Sequence, residues 1–207
     1  MNRFISTLTN IPIQRIHQNK LSDDELSKID SVKKDINKYK IFVNDSPNTS
    51  VSSFKEECLN QIKNNNVKVI MVDYLQLISS HRHRNHRELE VSFISRELKN
   101  IARENNVCIL VTSQLSRAVE MRSGTKRPQL SDLRESGAIE QDADKVIFVH
   151  SPEKYGFIED EDGNSLINVL ELIIAKNKNG RLANVRLFKD NDFTTLQDKE
   201  TYIEDFE

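Results

Sequence analysis

Glycine is the residue type whose scarcity says most about this sequence. The chain of 207 residues has five glycines, and none lies before Gly124. A phosphate-binding P-loop needs G-x-x-x-x-G-K-[ST], because only glycine lets several backbone N–H groups converge on a phosphate without a Cβ in the way. That motif is absent from these residues. The sequence therefore predicts that this chain lacks the usual backbone cradle for a nucleoside triphosphate.

Cysteine, long apolar runs and excess charge are also scarce. Cys58 and Cys108 form no C-x-x-C pair and show no metal-ligand spacing, which favours reduced thiols in a cytoplasmic protein. There is no apolar run of about 18 residues and no signal-peptide pattern, so the sequence indicates neither a membrane span nor export. The formal net charge of −2 argues against a wholly basic nucleic-acid binder, and any such contact must come from a local patch.

The most informative segment that is present runs from Val67 to Leu77. Four apolar residues, 69–72, lead directly into Asp73. An uninterrupted apolar run predicts a strand buried on both faces of a parallel sheet, and open α/β sheets bind ligands at the carboxyl ends of their strands. An aspartate at that place commonly reaches the magnesium ion on a phosphate chain. A buried strand that ends in a solvated acid is the alternative interpretation.

Hydrophobic periodicity predicts the other elements. Helices are expected at 1–10, at 22–40 with a capping pair Ser22 and Glu25, from Ser50 or Ser52 to about 63, and at 88–104. Strands are expected at 41–43, 67–73, 107–111, 145–150 and 193–196, and a hairpin over 169–188 turns at Asn177–Gly180. This order predicts an α/β fold. The strands at 67–73, 107–111 and 145–150 should form a parallel sheet with flanking helices, followed by an antiparallel hairpin at one edge.

Two polar clusters are interpreted as loops and not as metal sites. His81, His83 and His86 lie in a basic stretch without a neighbouring carboxylate or cysteine and without i, i+4 spacing, so a solvated loop is favoured. The acidic segment 160–164 partly matches a calcium-binding loop. The glycine and the closing glutamate of that motif are out of place, so a turn is favoured.

Three ordered segments resemble a known family. They are Val-Asp-Tyr-Leu-Gln-Leu at 72–77, Thr-Ser-Gln-Leu-Ser-Arg at 112–117, and Lys-Arg-Pro-Gln-Leu-Ser-Asp-Leu-Arg-Glu-Ser-Gly-Ala-Ile-Glu-Gln-Asp-Ala-Asp at 126–144. Together they resemble the C-terminal RecA-like motor domain of DnaB-type replicative DNA helicases. The resemblance implies ATP and Mg²⁺ as cofactors and ATP-driven unwinding of duplex DNA by a ring hexamer that translocates on single-stranded DNA. It implies primase and a helicase loader as protein partners, and no membrane.

The resemblance assigns four residues to nucleotide chemistry. Asp73 matches the Walker B aspartate that orients Mg²⁺ and its waters. Gln114 matches the glutamine that senses the γ-phosphate, and an amide suits that task because it donates and accepts hydrogen bonds at once. Lys176 and Lys178 match the hairpin pair that reaches the neighbouring subunit's nucleotide. The family pattern has arginine at position 178, and lysine keeps the charge but loses the planar, forked donor geometry.

The resemblance assigns a further group to single-stranded DNA. Arg134, Glu135 and Gly137 match the loop that faces the central channel of the hexamer. Arginine supplies charge there, and glycine lets backbone N–H groups approach phosphate. Arg117, at the end of the second matched segment, is assigned to the same function.

The resemblance also shows what is missing upstream. Family members carry an N-terminal partner-binding domain, a linker helix, the P-loop strand and helix, and a strand with the catalytic glutamate. Residues 1–207 are therefore predicted to be a partial RecA-like helicase domain, a truncated copy that is inactive alone. The alternative is a non-catalytic module that binds helicase rings or single-stranded DNA. The residues of segment 126–144 resemble replicative helicases and therefore disfavour a RecA-like recombinase.

Overall fold

The computed structural model describes residues 2–36, 38–47, 49–83, 86–190 and 193–198, without the side chains of His81, Arg134, Glu135 and Ser136. The α-helices are α1 (Asn2–Thr9), α2 (Ile13–His17), α3 (Asp23–Ile36), α4 (Val51–Asn65), α5 (Arg87–Asn105), α6 (Ala118–Met121) and α7 (Gly137–Asp142). The strands are β1 (Val69–Val72), β2 (Cys108–Val111), β3 (Lys145–His150), β4 (Val169–Asn177), β5 (Ala183–Lys189) and β6 (Leu196–Asp198). Short 3-10 helices cover Leu75–Leu77, His81–His83, Leu130–Ser136 and Pro152–Tyr155. The predicted α/β class is confirmed.

The described chain divides into two compact units. Unit 1 takes the described residues of 1–42, 149–173 and 184–207, and unit 2 those of 43–148 and 174–183. The division falls within β3, β4 and β5, so these strands belong to both units. Among the described residues, no helix is long and apolar enough to cross a membrane.

Local capping decides where two predicted helices begin. Glu25 accepts a hydrogen bond from the Ser22 backbone N–H at 2.8 Å, and Ser22 Oγ accepts one from the Glu25 N–H at 3.3 Å, which confirms the predicted capping box at the start of α3. Of the two candidate serines before α4, Ser50 is the cap, because its Oγ accepts from the Ser53 N–H at 3.1 Å. Helix α3 ends at Ile36, earlier than predicted.

The first sheet consists of β1 and β2, which pair in parallel with Val72 opposite Val111. The prediction that β1 is buried on both faces is wrong. Burial alternates along β1, and Val69 and Met71 are exposed, Met71 by 74% of its surface. The side chains of Ile70 and Val72 on the other face are half-buried, and β2 shows the same alternation while it contacts α5. A continuous apolar run therefore does not by itself establish that both faces of a strand are covered.

The second sheet has the strand order β3-β4-β5-β6. The predicted third parallel strand at 145–150 forms, but it lies beside β4 and not in the first sheet, so a three-stranded parallel sheet is wrong for the described residues. Alternation of strands and helices predicts strand direction, but it does not determine which strands are neighbours. The predicted hairpin forms from β4 and β5, and β6 pairs antiparallel to β5.

Two shorter strand predictions also differ from the structure. Residues 41–43 are not a strand, and Val43 is 83% exposed. A strand needs a hydrogen-bonding partner, and no described strand pairs with this segment. The last strand is Leu196–Asp198, displaced along the chain from the predicted 193–196.

Each unit has its own apolar core. In unit 1, α1 and α3 contribute Ile5 and Ile29, which pack with Ile11, and Ser6 Oγ donates to the Ile11 carbonyl at 2.7 Å. In unit 2, the predicted apolar stripe of α5 is buried. Its fully enclosed members are Ile94 and Ile101, both 0% exposed. Helix α5 packs against α4, α7 and β2 and is therefore the central element of unit 2.

The acidic turn at 160–164 is held by one carboxylate, as the turn interpretation predicts. Asp160 Oδ1 accepts from the Asn164 N–H at 2.8 Å and from the Asp162 N–H at 3.1 Å. Arg186 donates to Asp160 Oδ2 at 2.7 Å and to the buried Glu171 at 3.3 Å. The Arg186 guanidinium, followed by the Asn164 N–H, lowers the pKa of Asp160 from 3.8 to about 2.

We expect this turn to make the stability of the protein depend on pH in the acid range. Because folding lowers the pKa of Asp160 from 3.8 to about 2, its contribution is complete above pH 3.8 and is lost as the pH falls through about 2. Thermal unfolding followed from pH 5 to pH 2 should show a smaller loss of melting temperature for Asp160→Asn than for the unmodified chain. Asp162→Asn is the matched control, since the described contacts of Asp162 within the turn involve its backbone N–H and not its carboxylate. Equal losses in all three proteins would contradict the assignment.

Candidate functional site

The carboxyl ends of β1 and β2 bring polar side chains to one edge of the first sheet. Asp73 follows Val72, and Thr112 follows Val111, which is the partner of Val72 in the parallel register. Thr112 Oγ1 donates to Asp73 Oδ1 at 2.7 Å. The Asp73–Tyr74 peptide bond is cis. Asp73 is exposed, so its carboxylate faces solvent while one of its oxygens is held by the neighbouring strand.

Gln76 ties the two strand ends together, and the sequence prediction missed it. Its Nε2 donates to Ser113 Oγ at 3.0 Å, and its Oε1 accepts from the Gln114 N–H at 3.4 Å. The 3-10 helix Leu75–Leu77 carries Gln76 back toward β2, and the Leu75 N–H donates to the Thr112 carbonyl at 2.9 Å. In the sequence, a functional role for Gln76 was indicated only by its position in the first family segment, three residues after Asp73.

Gln114 and Arg117 follow β2 on the exposed side of this edge. Asp73 and Gln114 thus lie at neighbouring carboxyl ends, as the sequence predicts. Both Gln114 and Arg117 are exposed, and Arg117 immediately precedes α6. The edge therefore presents the carboxylate of Asp73 and the amide of Gln114 to solvent, and the exposed Arg117 follows three residues after Gln114.

A buried ion pair shapes the segment between Gln114 and the predicted DNA loop. Asp132 is only 4% exposed, and its Oδ1 accepts from Arg122 Nη2 at 2.5 Å. Its Oδ2 accepts from the Gln129 N–H at 2.6 Å, and its carbonyl accepts from the Ser116 N–H at 3.0 Å. Arg122 also donates to the Arg127 carbonyl at 2.9 Å. Asp132 was missed by the sequence prediction, although it lies within the 126–144 segment.

The predicted DNA loop passes from the 3-10 helix Leu130–Ser136 into α7. The side chains of Arg134 and Glu135 lie outside the described residues, so their predicted role stays a prediction. Gly137 begins α7 with φ −49° and ψ −24°, and a Cβ built on it would meet nothing within 4 Å. The folded chain therefore does not itself require glycine at position 137.

Lys176 and Lys178, at the end of β4 and in the following turn, both bind the segment that ends α7. The Lys176 ammonium donates to the Glu140 carbonyl and, at 3.3 Å, to the Gln141 carbonyl. A cation at this position complements the free carbonyl groups at a helix C-terminus. The Lys178 backbone N–H donates to the Asp144 carbonyl at 3.0 Å, and Lys178 Nζ donates to Asp144 Oδ1 at 3.1 Å.

The carboxylate of Asp144 is shared by two lysines. Lys99, on α5, donates to Oδ2, while Lys178 donates to Oδ1. The hydrogen bonds from Lys99 and then from Lys178 lower the pKa of Asp144 below its ordinary value of 3.8. Asp144 is 60% exposed, so these pairs are well solvated.

The predicted site residues therefore fall into two groups. Asp73 and Gln114 lie together at the edge of the first sheet, and Lys176 and Lys178 lie together on segment 140–144. Among the described contacts, no hydrogen bond or ion pair joins one group to the other.

The structure also bears on the metal and thiol interpretations. Across the described residues, no group of three or more His, Cys, Asp or Glu side chains could hold a metal ion. The side chain of His81 lies outside the described residues, so the loop interpretation of this cluster stays a prediction. Cys58 and Cys108 are both free thiols. Burial, followed by the nearby Glu57 charge, raises the pKa of the buried Cys58 to about 11, so this thiol is unreactive near neutral pH.

A parallel pair of strands with an acid and an amide at their shared carboxyl edge is typical of open α/β proteins, in which ligands bind at that edge. The family follows from comparison with known proteins, and a model of the DnaB-like helicase C terminal domain matches residues 1–198. The replicative DNA helicase DnaC of Bacillus subtilis (strain 168) is 37% identical over 204 residues, which cover 98% of this chain and 44% of that protein. The replicative DNA helicase DnaB of Geobacillus stearothermophilus is 39% identical over 186 residues, which cover 89% of this chain and 40% of that protein.

Solved structures show the same architecture. A DnaB-like replicative helicase, described together with its interactions with primase, matches with a TM-score of 0.83 and 33% identity over 95% of this chain and 48% of that chain. A second solved structure, an ATPase domain, matches with a TM-score of 0.83 and 34% identity over 95% of this chain and 68% of that chain. The chain therefore belongs to the DnaB-like helicase C-terminal domain family, and the predicted RecA-like fold is confirmed. It spans less than half the length of the curated relatives it matches.

We expect substitution of Asp132 to destabilise unit 2 more than substitution of an exposed charged residue. Asp132→Ala should lower the free energy of unfolding by about 2 to 3 kcal/mol, because it leaves the Arg122 guanidinium and the Gln129 N–H without their buried acceptor. Urea unfolding followed by circular dichroism measures the loss. The exposed Glu120→Ala, on neighbouring α6, is the control and should cost less than about 0.5 kcal/mol. Similar losses for the two variants would show that the ion pair is not structural.

Proposed function

We propose that this chain is the C-terminal motor segment of a replicative DNA helicase. Together with the upstream elements of its family, it would form a ring hexamer that uses ATP and Mg²⁺ to translocate on single-stranded DNA and unwind duplex DNA. The observation that carries this proposal is the edge of the first sheet, where Thr112 and Gln76 hold Asp73 and Gln114 on adjacent strand ends. Family membership over residues 1–198 supports the same function.

Asp73 is suited to a magnesium ion that is bound through water. Mg²⁺ keeps several of its waters and uses one or two carboxylates together with phosphate oxygens, so a single exposed carboxylate suffices. The Thr112 hydroxyl occupies Oδ1 and fixes the carboxylate, while no described residue donates to Oδ2. When bound, the ion would neutralise charge on the transferred phosphoryl group. The triphosphate itself does not fit these residues alone, since they contain no P-loop.

Gln114 is suited to report the state of the γ-phosphate. Its side chain is exposed at the strand end, while its backbone is fixed by Gln76. The Ser116 N–H, two residues further on, is bonded to the Asp132 carbonyl. A displacement of Gln114 is thereby connected through a short, hydrogen-bonded path to the segment that leads into Arg134.

The DNA-binding side of the proposal consists of Arg117, Arg134, Glu135 and Gly137. Gly137 begins α7 beside open space, since a Cβ built on it would meet nothing within 4 Å, and its backbone is therefore accessible to an approaching phosphate. Arg117 is exposed three residues after Gln114 and supplies positive charge in a chain whose net charge is −2.

Of the two hairpin lysines, Lys178 is the better candidate for a residue that reaches the neighbouring subunit's nucleotide. The Lys176 ammonium is engaged by two carbonyl groups at the end of α7, which fixes it within its own subunit. The Lys178 side chain is 44% exposed, and among the described residues its ammonium is bound to the solvated Asp144 alone. Lys176 then acts by holding the hairpin in place.

The proposed partners are other copies of the chain, single-stranded DNA, primase and a helicase loader. One structurally similar helicase is described with its interactions with primase. A non-catalytic module that binds helicase rings or single-stranded DNA is the alternative function. This alternative uses the same DNA-binding residues, but in it Lys178 has no role.

The chain of 207 residues by itself should not hydrolyse ATP. It contains no P-loop to hold the triphosphate, so Asp73 has no bound substrate to act on. Phosphate release should stay at background with and without single-stranded DNA, and it should be the same for Asp73→Asn. Turnover that Asp73→Asn abolishes would overturn this prediction.

The helicase function can be tested by joining the chain to the upstream half of the Bacillus subtilis relative and assembling rings. Lys178→Ala should lower the DNA-stimulated ATPase rate and Lys178→Arg should raise it, since an arginine finger contributes on the order of 10³ to 10⁵ in rate and lysine offers only a point charge. In mixed rings, a Lys178→Ala subunit should impair its neighbour's site and leave its own competent. If both substitutions leave the rate unchanged, the trans role of Lys178 is wrong and the hairpin serves only as the edge of the sheet. Rings that bind single-stranded DNA but show no DNA-stimulated ATPase would instead support the binding-module alternative.

A further inference from the structure

Lys178 is docked on its own subunit in this structure, although its side chain stays partly exposed. Its ammonium is bound to Asp144 Oδ1, and its backbone N–H is bound to the Asp144 carbonyl. A side chain held in this way cannot at the same time reach a phosphate on another subunit. The ion pair and the proposed contact in trans are therefore mutually exclusive positions of one ammonium group.

Lys99 makes the docked position easy to leave. It binds the other oxygen of Asp144, so departure of Lys178 does not strand an unpaired carboxylate. Asp144 is 60% exposed and Lys178 is 44% exposed, and a pair so open to solvent is held weakly. The several negative charges of a triphosphate attract an ammonium more strongly than one carboxylate that already has a second cation.

The backbone contacts keep the hairpin in place when the side chain moves. The Lys178 N–H to Asp144 carbonyl bond and the Lys176 bonds to the carbonyls of Glu140 and Gln141 do not involve the Asp144 carboxylate. Release of Lys178 is therefore a change of side-chain rotamer on a fixed turn.

We propose that Asp144 is a docking residue that holds Lys178 withdrawn, and that Lys99 sets how readily Lys178 is released to a nucleoside triphosphate bound by the neighbouring subunit. This proposal rests on the proposed trans role of Lys178. Asp144 and Lys99 touch no substrate and act only through Lys178. In the docked position, Lys178 does not contact the neighbouring subunit's site, and it is released when a triphosphate binds there.

The proposal predicts opposite effects for the two supporting residues. Asp144→Asn removes the competing charge but keeps the backbone bond, so it should raise kcat/KM for ATP in assembled rings by about two- to fivefold, the range expected for one solvated ion pair. Lys99→Met leaves Lys178 as the sole counter-charge of Asp144 and should lower kcat/KM by a similar factor. A purely structural role would lower kcat/KM in both variants.

The experiment measures DNA-stimulated ATPase in the rings described above, with Lys178→Ala and Asp35→Asn alongside. Asp35 forms a similarly exposed ion pair with Lys38, and both residues are distant in sequence from Asp144. Asp35→Asn therefore controls for the loss of a surface carboxylate and should leave kcat/KM unchanged. Combining Asp144→Asn with Lys178→Ala should abolish the gain. If Lys178→Ala lowers the rate but Asp144→Asn lowers it too or leaves it unchanged, docking is wrong and the trans role stands. If Lys178→Ala has no effect, the trans role itself is wrong.

The docked position can also be measured on the 207-residue chain without any activity. Nuclear magnetic resonance detects lysine ammonium groups, and the signal of Lys178 is the one that disappears in Lys178→Arg. In Asp144→Asn, this signal should shift to the position that solvated lysines have. It should stay in place in Asp35→Asn. A Lys178 signal that already coincides with solvated lysines in the unmodified chain would overturn the docking proposal.

Discussion

The parallel pairing of β1 with β2 is the interaction on which the candidate nucleotide site depends. It sets Val72 opposite Val111, and Asp73 and Thr112 therefore emerge side by side and share a hydrogen bond. The Leu75 N–H then bonds to the Thr112 carbonyl and carries Gln76 across to Ser113 and Gln114. A slip of one residue in this register would turn every side chain to the opposite face and separate these groups.

A second set of contacts organises the other half of the proposed machinery around the end of α7. Lys176 caps the helix, and Lys178 and Lys99 share Asp144. The chain between Gly137 and Asp144 therefore joins the proposed DNA loop directly to the hairpin. Because α5 packs against both α7 and β2 within unit 2, one helix supports both groups of residues.

Several features were predictable because they depend on neighbours along the chain. The capping box of Ser22 and Glu25, the apolar stripe of α5 and the hairpin turn after Asn177 follow from local geometry, and the structure contains all three. The order of strands and helices likewise predicted the α/β class. The family segments predicted that Asp73 and Gln114 lie at adjacent strand ends, and the register of β1 and β2 places them there.

Other features were beyond prediction because they depend on contacts between distant segments. Whether Met71 is covered, and whether β3 lies beside β2 or β4, depends on which segments pack there, and local pattern carries no information on that. The same holds for Asp132, which looks like part of a charged loop in the sequence but is buried with Arg122 in the structure. The amino-acid sequence by itself determined the four longest α-helices of the described residues, the hairpin turn after Asn177 and the family of this protein. The tertiary structure alone decided that Lys178 is docked on Asp144, because that contact joins residues 34 positions apart through side chains that no local rule brings together.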